Sequence, residues 1–134
     1  ITLLESRSVI SSSGTTGLRT WEAALHLGSF LASRPEIING KNILELGAGT
    51  GILSILCAKS LGAKRAMATD GDEGVVDALK SNIFLNGLEG SQKIDSSVLR
   101  WGRSLQATAF EEDFEDDPYD VTVGADIVGT ILHV

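Results

Sequence analysis

The chain has 134 residues, enough for one domain with a substantial buried core. Hydrophobic residues make up 43% and charged residues 22%, a balance that indicates a folded globular protein and argues against disorder. The formal net charge is -7 at pH 7, so the surface repels phosphate backbones and favours a basic protein or peptide over nucleic acid as a partner.

The cysteine and histidine content argues against disulfides and metal sites. Cys57 is the only cysteine and lies in an apolar pattern, so we expect a buried structural thiol. His26 and His133 are far apart and show no ligand-like spacing, so no metal site is expected. No apolar run reaches the roughly 20 residues of a membrane helix, and the segment "ITLLESRS" lacks the basic region and long apolar core of a secretion signal. We therefore expect a cytoplasmic monomer that does not associate with membranes.

The first predicted element is an N-terminal helix at about residues 18–33. The apolar residues recur at helical spacing, which predicts an amphipathic helix with one buried face; they are Leu18, Trp21, Leu25 and Leu31. Pro35 follows as a stop signal. The helix is preceded by a segment rich in Ser, Gly and Thr.

Two strand and helix pairs come next. "KNILELG" predicts a short buried strand, and "GILSILCAKSLGA" predicts an apolar helix that ends near Gly62. "RAMATD" predicts a second strand, and "DEGVVDALKSNIFLNG" a second helix that ends at Asn86 and Gly87. The buried face of that helix is predicted to consist of Val75, Val76, Leu79 and Ile83.

Two more strands are predicted at "KIDSSVLRW" and "YDVTVGAD". The acidic segment "FEEDFEDDPYD", residues 110–120, lies between them, and a solvated loop is favoured there over a dedicated binding surface. Alternation of strands and helices with short connections predicts an α/β sandwich on a mainly parallel sheet, because parallel neighbours require crossover helices.

The connection after the first strand contains three glycines at alternate positions: Gly47, Gly49 and Gly51. A strand, glycines and then a helix present bare backbone to a nucleotide-like ligand. The spacing is not that of a dinucleotide site, because Ile52 stands where that pattern has its third glycine. It is not a phosphate-binding P-loop either, since no Gly-Lys-Ser/Thr follows.

Four strand ends are expected to meet at one edge of the sheet. Asp70 closes the second strand 19 positions after Gly51, close to the spacing at which an acid binds a ribose. Trp101 and Asp126 follow the third and fourth strands. Ligands of parallel α/β sheets bind beyond these carboxyl ends. The sequence therefore predicts a site for a ribose-bearing ligand.

"ELGAGTG" resembles motif I of the class I S-adenosylmethionine-dependent methyltransferases, with Glu45 in the acidic position. The flanks are more specific: "TTGLRTWEAALHL", "ATDGDEGVVDALKSNIFLNG", "VLRWG" and "YDVTVGADIV" resemble the family-16 protein-lysine methyltransferases, particularly the branch that methylates elongation factor 2. The resemblance covers most of residues 8 to 128. It implies a Rossmann-like fold, S-adenosylmethionine as cofactor with S-adenosylhomocysteine as product, and a cofactor-binding core at about 41–128 within a single domain spanning 1–134.

The resemblance also implies residue roles. Trp21 would help close the cofactor site, although core packing is an equally good reading of it, and Trp101 would lie against the adenine. Asp126 is the candidate catalytic acid beside the substrate lysine. The cofactor-binding set implied by the resemblance and by the glycine and ribose spacing is Trp21, Glu45, Gly47, Ala48, Gly49, Gly51, Asp70, Trp101 and Ala125.

The chain departs from this family in three places. Gly129 stands where the family has a tyrosine three residues after the acid, and we expect that residues are missing between Val128 and Gly129. The family fold has seven strands, whereas the sequence here reaches only just beyond a fourth, so we expect an incomplete domain with missing residues after Val134. Arg100 stands where relatives often have an acid near the adenine amino group, so we expect adenine recognition to rest more on stacking and backbone contacts.

Three other functions compete with a lysine methyltransferase acting on an elongation factor. One is a methyltransferase for RNA or a small amine, of which the acidic composition disfavours RNA. Another is a non-catalytic binding module that keeps the fold. The last is a nicotinamide-dependent oxidoreductase, which Ile52 disfavours.

Overall fold

A computed structural model describes residues 1–5, 20–105, 108, 110–111, 116–125 and 127. Within these residues, the elements that can be bounded are three helices, one short 3₁₀ turn at Pro35–Ile37 and four strands. The helices are α1 (Glu22–Ser33), α2 (Ile52–Lys59) and α3 (Glu73–Leu85). The strands are β1 (Asn42–Leu46), β2 (Arg65–Asp70), β3 (Ile94–Val98) and β4 (Val121–Gly124).

The four strands form one parallel sheet in the order β3-β2-β1-β4. Helices α2 and α3 are the crossovers from β1 to β2 and from β2 to β3, so the chain first moves outward and then returns to the other side of β1. This reversal between β1 and β4 is the switch point at which open α/β sheets bind ligands. The expected mainly parallel α/β sandwich is confirmed. The single-domain boundaries stay a prediction.

Alternating residues of the central strands pack on opposite faces of the sheet. Ile43 and Ala66 are fully buried in the cluster formed with the helices. Leu44 and Met67 point to the other face, where they pack with Phe110. A period of two residues is that of a strand covered on both sides. The helix layer and the segment after β3 therefore enclose β1 and β2.

The N-terminal helix begins later than expected. It spans Glu22–Ser33 rather than about 18–33, because Trp21 has an extended backbone with φ -84 and ψ 150 and serves as the N-cap residue. Residues 18 and 19 lie outside the described part of the chain. Trp21 therefore precedes the first turn of the helix instead of belonging to it.

The buried face of α1 also differs from the prediction. Leu25 is 50% exposed, so its assignment to the buried face was wrong, whereas Leu31 is buried as expected. Gly28 is buried beside it. A Cβ at Gly28 would lie 3.4 Å from Leu56 of α2, so the two helices approach closely there. The contact between α1 and α2 is therefore made at Gly28, whose lack of a side chain allows the close approach, and not by a leucine of α1.

The apolar predictions for α3 and for Cys57 are confirmed. The four apolar residues of the α3 face are all buried: Val75, Val76, Leu79 and Ile83. The helix ends at Leu85, with Asn86 as C-cap and Gly87 at φ 70. Cys57 is fully buried, and burial together with the nearby charge of Glu45 raises the pKa of its thiol to about 12. Cys57 is thus a core residue.

The end of the acidic segment is attached to the amino end of β1. Asp120 Oδ2 accepts a 2.8 Å hydrogen bond from the backbone N–H of Asn42, and Asp117 Oδ1 accepts one of 2.8 Å from Asn42 Nδ2. Asp117 also pairs with Lys64 at 3.3 Å. The Asn42 and Lys64 contacts hold the pKa of Asp117 below its usual value. Asp116 and Asp120 are exposed, as expected of a solvated loop, but Asp117 and Asp120 also bind Asn42, while residues 112–115 lie outside the described residues.

Candidate functional site

The loop after β1 requires glycine at two positions for defined reasons. Gly47 and Gly51 have φ values of +63 and +84, in the left-handed region that other residues avoid. A Cβ at Gly47 would lie 2.8 Å from Ile127 Cγ2, and one at Gly51 would lie 3.1 Å from Leu79 Cγ. The glycines therefore let the chain turn sharply while one neighbouring residue packs directly on each.

A cavity opens where this loop meets the start of α1 and the end of β4. It is small, about 20 Å³, so a ligand larger than a water molecule would lie across its mouth. Six of the predicted cofactor residues line it: Trp21, Glu45, Gly47, Ala48, Gly49 and Ala125. The carboxyl ends of β1 and β4 both contribute, which places the cavity at the switch point of the sheet.

Asp70 ends β2 beside this loop. Its Oδ2 accepts a hydrogen bond from Gly49 N at 3.2 Å, and its Oδ1 accepts one from Asp72 N at 3.2 Å. A second contact, from Ala48 N to Thr69 O at 2.8 Å, joins the loop to the same strand. Each carboxylate oxygen has a further lone pair, so Asp70 can still accept hydrogen bonds from a ligand. The glycine loop and Asp70 are thus adjacent, as the spacing predicts.

Glu45 is almost fully buried, with 2% of its surface exposed. The strand alternation turns it towards α2, where its Oε2 accepts hydrogen bonds from Ser54 N at 2.9 Å and Ser54 Oγ at 2.5 Å. These bonds satisfy a free N–H group of the first helical turn. Burial raises the pKa of Glu45 to about 7, although the Ser54 hydrogen bonds act in the opposite direction. Glu45 therefore supports the start of α2 as well as lining the cavity.

Gly51, Trp101 and Asp126 are the other residues predicted for the site, and the first two do not line the cavity. Gly51 is the N-cap residue of α2 and packs behind the loop rather than lining the cavity. Trp101 follows β3, is 45% exposed and does not line the cavity. The hydrogen bond from Leu99 N to Asp70 O, at 2.9 Å, nevertheless brings the end of β3 to Asp70. Asp126 lies outside the described residues.

Sequence reasoning missed the hydroxyl groups of the site. Thr20 and Thr50 both line the cavity, and their Oγ1 atoms are 2.5 Å apart. Ser54, which binds Glu45, is fully buried. Its position three residues after Gly51 was an available signal, because the third residue of a helix donates an N–H that needs a partner. Nothing in the sequence pairs Thr20 with Thr50.

The described ranges contain neither a candidate metal site nor a candidate membrane-spanning helix. No group of three or more His, Cys, Asp or Glu side chains there could hold a metal ion. Among the same residues, no helix has the length and apolar character to span a bilayer. His26 is exposed and lies 3.5 Å from Glu22 one turn earlier on α1, whereas His133 is outside the described residues.

Comparison with known sequences decides the family. The profile of a family described as lysine methyltransferase matches residues 8–131. The chain belongs to this lysine methyltransferase family. The resemblance found in the sequence is confirmed.

Two curated relatives illustrate the similarity. Protein-lysine N-methyltransferase EFM3 of Chaetomium thermophilum is 54% identical over 127 residues, which cover 95% of this chain and 38% of the relative. Protein-lysine N-methyltransferase EEF2KMT of Mus musculus is 32% identical over 139 residues, covering 96% of this chain and 39% of the relative. This member of the lysine methyltransferase family therefore spans about two fifths of the length of these curated relatives.

Solved structures support the same fold. An O-methyltransferase from Bacillus cereus in complex with SAH aligns with a TM-score of 0.56 at 25% identity, over 74% of this chain and 43% of that chain. The METTL16 methyltransferase domain aligns with a TM-score of 0.57 at 19% identity, over 80% of this chain and 42% of that chain. Both are methyltransferases, and the expected Rossmann-like class I methyltransferase fold is confirmed.

Proposed function

We propose that this chain carries the cofactor-binding part of an S-adenosylmethionine-dependent protein-lysine N-methyltransferase whose substrate is a translation elongation factor. The observation that carries the proposal is the contact between Gly49 N and Asp70 Oδ2 at the edge of a cavity formed by the ends of β1 and β4. Bare backbone and a ribose-binding acid then face the same ligand. Family membership supports methyl transfer, and the elongation-factor target comes from the resemblance to that branch.

The glycine loop suits a ligand without phosphates. The N–H groups of Ala48, Gly49 and Gly51 already donate to Thr69 O, Asp70 Oδ2 and Ala48 O, respectively. A loop that binds a pyrophosphate keeps such groups free for the ligand. S-adenosylmethionine has no phosphate, whereas a nicotinamide dinucleotide has two. The hydrogen bonds of the loop therefore favour a methyltransferase over an oxidoreductase.

The residues present fit the cofactor. Asp70 retains lone pairs that can accept hydrogen bonds from the ribose hydroxyls. The family resemblance implies that Trp101 lies against the adenine. Trp21, Glu45 and Ala125 line the cavity. When bound, S-adenosylmethionine supplies a methyl group on a sulfonium, which transfers to an amine by in-line displacement.

For that displacement, the protein has to align the amine and exclude water. A lysine acceptor must also lose its proton before it can react. Asp126, the residue after the cavity-lining Ala125, is the proposed acceptor of that proton. The family has a tyrosine bordering the lysine three residues after this acid, where this sequence has Gly129, and the residues that we expect to be missing between Val128 and Gly129 would supply it.

The net charge of -7 supports a protein acceptor over RNA, because an acidic surface repels a phosphate backbone. We further propose that the protein is a monomer that acts in the cytoplasm and binds neither membranes nor nucleic acid. Translation factors are cytoplasmic, which is consistent with the expected target.

Three measurements test this function. Calorimetric titration of the chain with S-adenosylhomocysteine and, separately, with NAD should give binding to the first alone; the reverse result would assign an oxidoreductase. Incubation of cell lysate with methyl-labelled S-adenosylmethionine should then label a protein, and the label should survive ribonuclease. Asp126→Asn should lower turnover more than cofactor affinity, and equal losses would remove Asp126 from the catalytic role.

A further inference from the structure

Two asparagines one turn apart, Asn82 of α3 and its C-cap residue Asn86, bind backbone groups of the first residues of the chain. Leu4 N donates to Asn82 Oδ1 at 2.7 Å, and Asn82 Nδ2 donates to Leu4 O at 3.4 Å. Thr2 repeats the pattern with Asn86, at 2.9 and 2.6 Å. Each amide thus binds both backbone groups of one residue, as a neighbouring strand would.

Of these two asparagines, Asn82 also reaches the glycine loop. Its Nδ2 donates to Thr50 O at 2.9 Å, whereas the further donation of Asn86 Nδ2 goes to Asn82 O at 2.7 Å within the helix. Asn82 is fully buried and Thr50 is 4% exposed. A buried hydrogen bond of this kind is costly to lose, because the carbonyl would have no water to replace the amide.

The contacts of Thr50 close into a ring. Its Oγ1 bonds Thr20 Oγ1 at 2.5 Å, and Thr20 N donates to Glu5 Oε1 at 2.9 Å. Glu5 follows Leu4 in the chain, and Leu4 returns to Asn82. Thr50 is therefore fixed at both its carbonyl and its hydroxyl by one connected set of hydrogen bonds.

The glycine loop needs such external support. Thr50 lies between Gly49 and Gly51, which have φ values of +56 and +84. Glycine has the widest choice of backbone conformations, so flanking glycines leave the position of Thr50 to its contacts. Displacement of Thr50 would move the Gly49 N–H away from Asp70, to which it donates at 3.2 Å.

We propose that Asn82 is a positioning residue for the glycine loop, and that through it residues 2–5 form part of the cofactor site. Asn82 does not line the cavity and acts through Thr50, which does. This inference rests on the proposed function, because it takes the ligand to be S-adenosylmethionine. Since coupling between two sites is reciprocal, the ligand should in turn stabilise the attachment of Leu4 to Asn82.

Asn82→Ala tests this role, with Asn86→Ala as the matched control, which removes the two hydrogen bonds to Thr2 and leaves the contacts of Asn82 with Leu4 and Thr50 in place. In calorimetric titration of the full chain, Asn82→Ala should weaken S-adenosylhomocysteine binding about tenfold, the equivalent of one lost hydrogen bond. Asn86→Ala should leave the affinity within about twofold of wild type, even if denaturation shows that the two variants are equally destabilised. Equal affinities of the two variants would overturn the positioning role.

Amide hydrogen exchange gives a second readout without ligand. The N–H groups of Gly49 and Gly51 are protected by Asp70 Oδ2 and Ala48 O, and in Asn82→Ala they should exchange about tenfold faster than in Asn86→Ala. Unchanged exchange would overturn the inference. If wild type does not bind S-adenosylhomocysteine, the proposed function fails, and this exchange difference still decides the role of Asn82.

A wild-type measurement covers the case in which Asn82→Ala does not fold. Saturating S-adenosylhomocysteine should slow exchange of the Leu4 amide about tenfold, because that amide donates to Asn82. An unaltered rate at Leu4 in ligand-bound protein would refute the coupling of residues 2–5 to the site.

Discussion

The backbone N–H of Gly49 donates to Oδ2 of Asp70 across 3.2 Å, which joins the loop after β1 to the acid that ends β2. The two strands are neighbours in the sheet, paired in register from Asn42 with Arg65 to Glu45 with Ala68. Parallel pairing brings their carboxyl ends to the same edge. The carboxylate proposed to bind the ribose therefore also holds the loop that would support the rest of the cofactor.

Asp70→Ala is expected to weaken S-adenosylhomocysteine binding by about 1 to 3 kcal/mol, the range for hydrogen bonds to a charged group and for the donors left unpaired. Calorimetric titration measures the change. Asp77→Ala is the control, because Asp77 is an exposed acid on α3 that pairs with Lys80 at 3.7 Å. Wild-type affinity in Asp70→Ala would place the ribose elsewhere.

Gly51→Ala should destabilise the fold more than Gly87→Ala. The two glycines have φ values of +84 and +70, so an alanine pays a similar conformational cost of about 1 to 2 kcal/mol at each. A Cβ at Gly51 would also lie 3.1 Å from Leu79 Cγ, whereas one at Gly87 would meet nothing within 4 Å. Overpacking against buried Leu79 adds about 1 kcal/mol or more. Urea denaturation of both variants measures the difference, and equal losses would show that Leu79 adapts at no cost.

Local patterns predicted most of the framework. The α3 face and its Asn86 and Gly87 end, as well as the strand before the glycine loop, follow from the periods and end signals of neighbouring residues. The position of Asp70 also followed, because a parallel sheet fixes where strand ends meet. The predicted start of α1 was wrong, because the extended backbone of Trp21 has no local sequence signal.

Contacts between distant residues could not be predicted in this way. Asn82 and Thr50 are 32 positions apart, and Asn42 and Asp120 are 78 apart. Single amides and carboxylates carry no periodicity, so nothing in the sequence pairs them. Leu25 illustrates a related failure, since helical spacing identified a face but not that Gly28 would form the contact with α2.

The role of Asp120 at the amino end of β1 can be measured directly. Asp120→Ala should lower the free energy of unfolding by about 1 kcal/mol, because the buried N–H of Asn42 loses its acceptor at 2.8 Å. Asp116→Ala removes an exposed acid from the same segment and should have less effect. Thermal or urea denaturation distinguishes the two, and identical curves would assign the acidic segment to a purely solvated role.

Glu45 should make stability depend on pH in an unusual direction for a carboxylate. Burial raises its pKa from 4.5 to about 7 in the folded protein, so the folded state holds the proton more tightly than the unfolded chain. The stabilising contribution is therefore complete below pH 4.5 and is lost as pH rises to about 7. Above that range the buried carboxylate is charged, and Ser54 is its hydrogen-bond donor.

Glu45→Gln removes this titration. Relative to wild type, the variant should gain stability between pH 4.5 and pH 8, by about 3 kcal/mol at most, as measured by urea denaturation at each pH. Glu89→Gln, which removes an exposed carboxyl, is the control. Ser54→Ala should move the loss of stability to higher pH, because the Ser54 hydroxyl lowers the pKa of Glu45. A constant difference between Glu45→Gln and wild type across this range would mean that Glu45 is charged throughout, in spite of its burial.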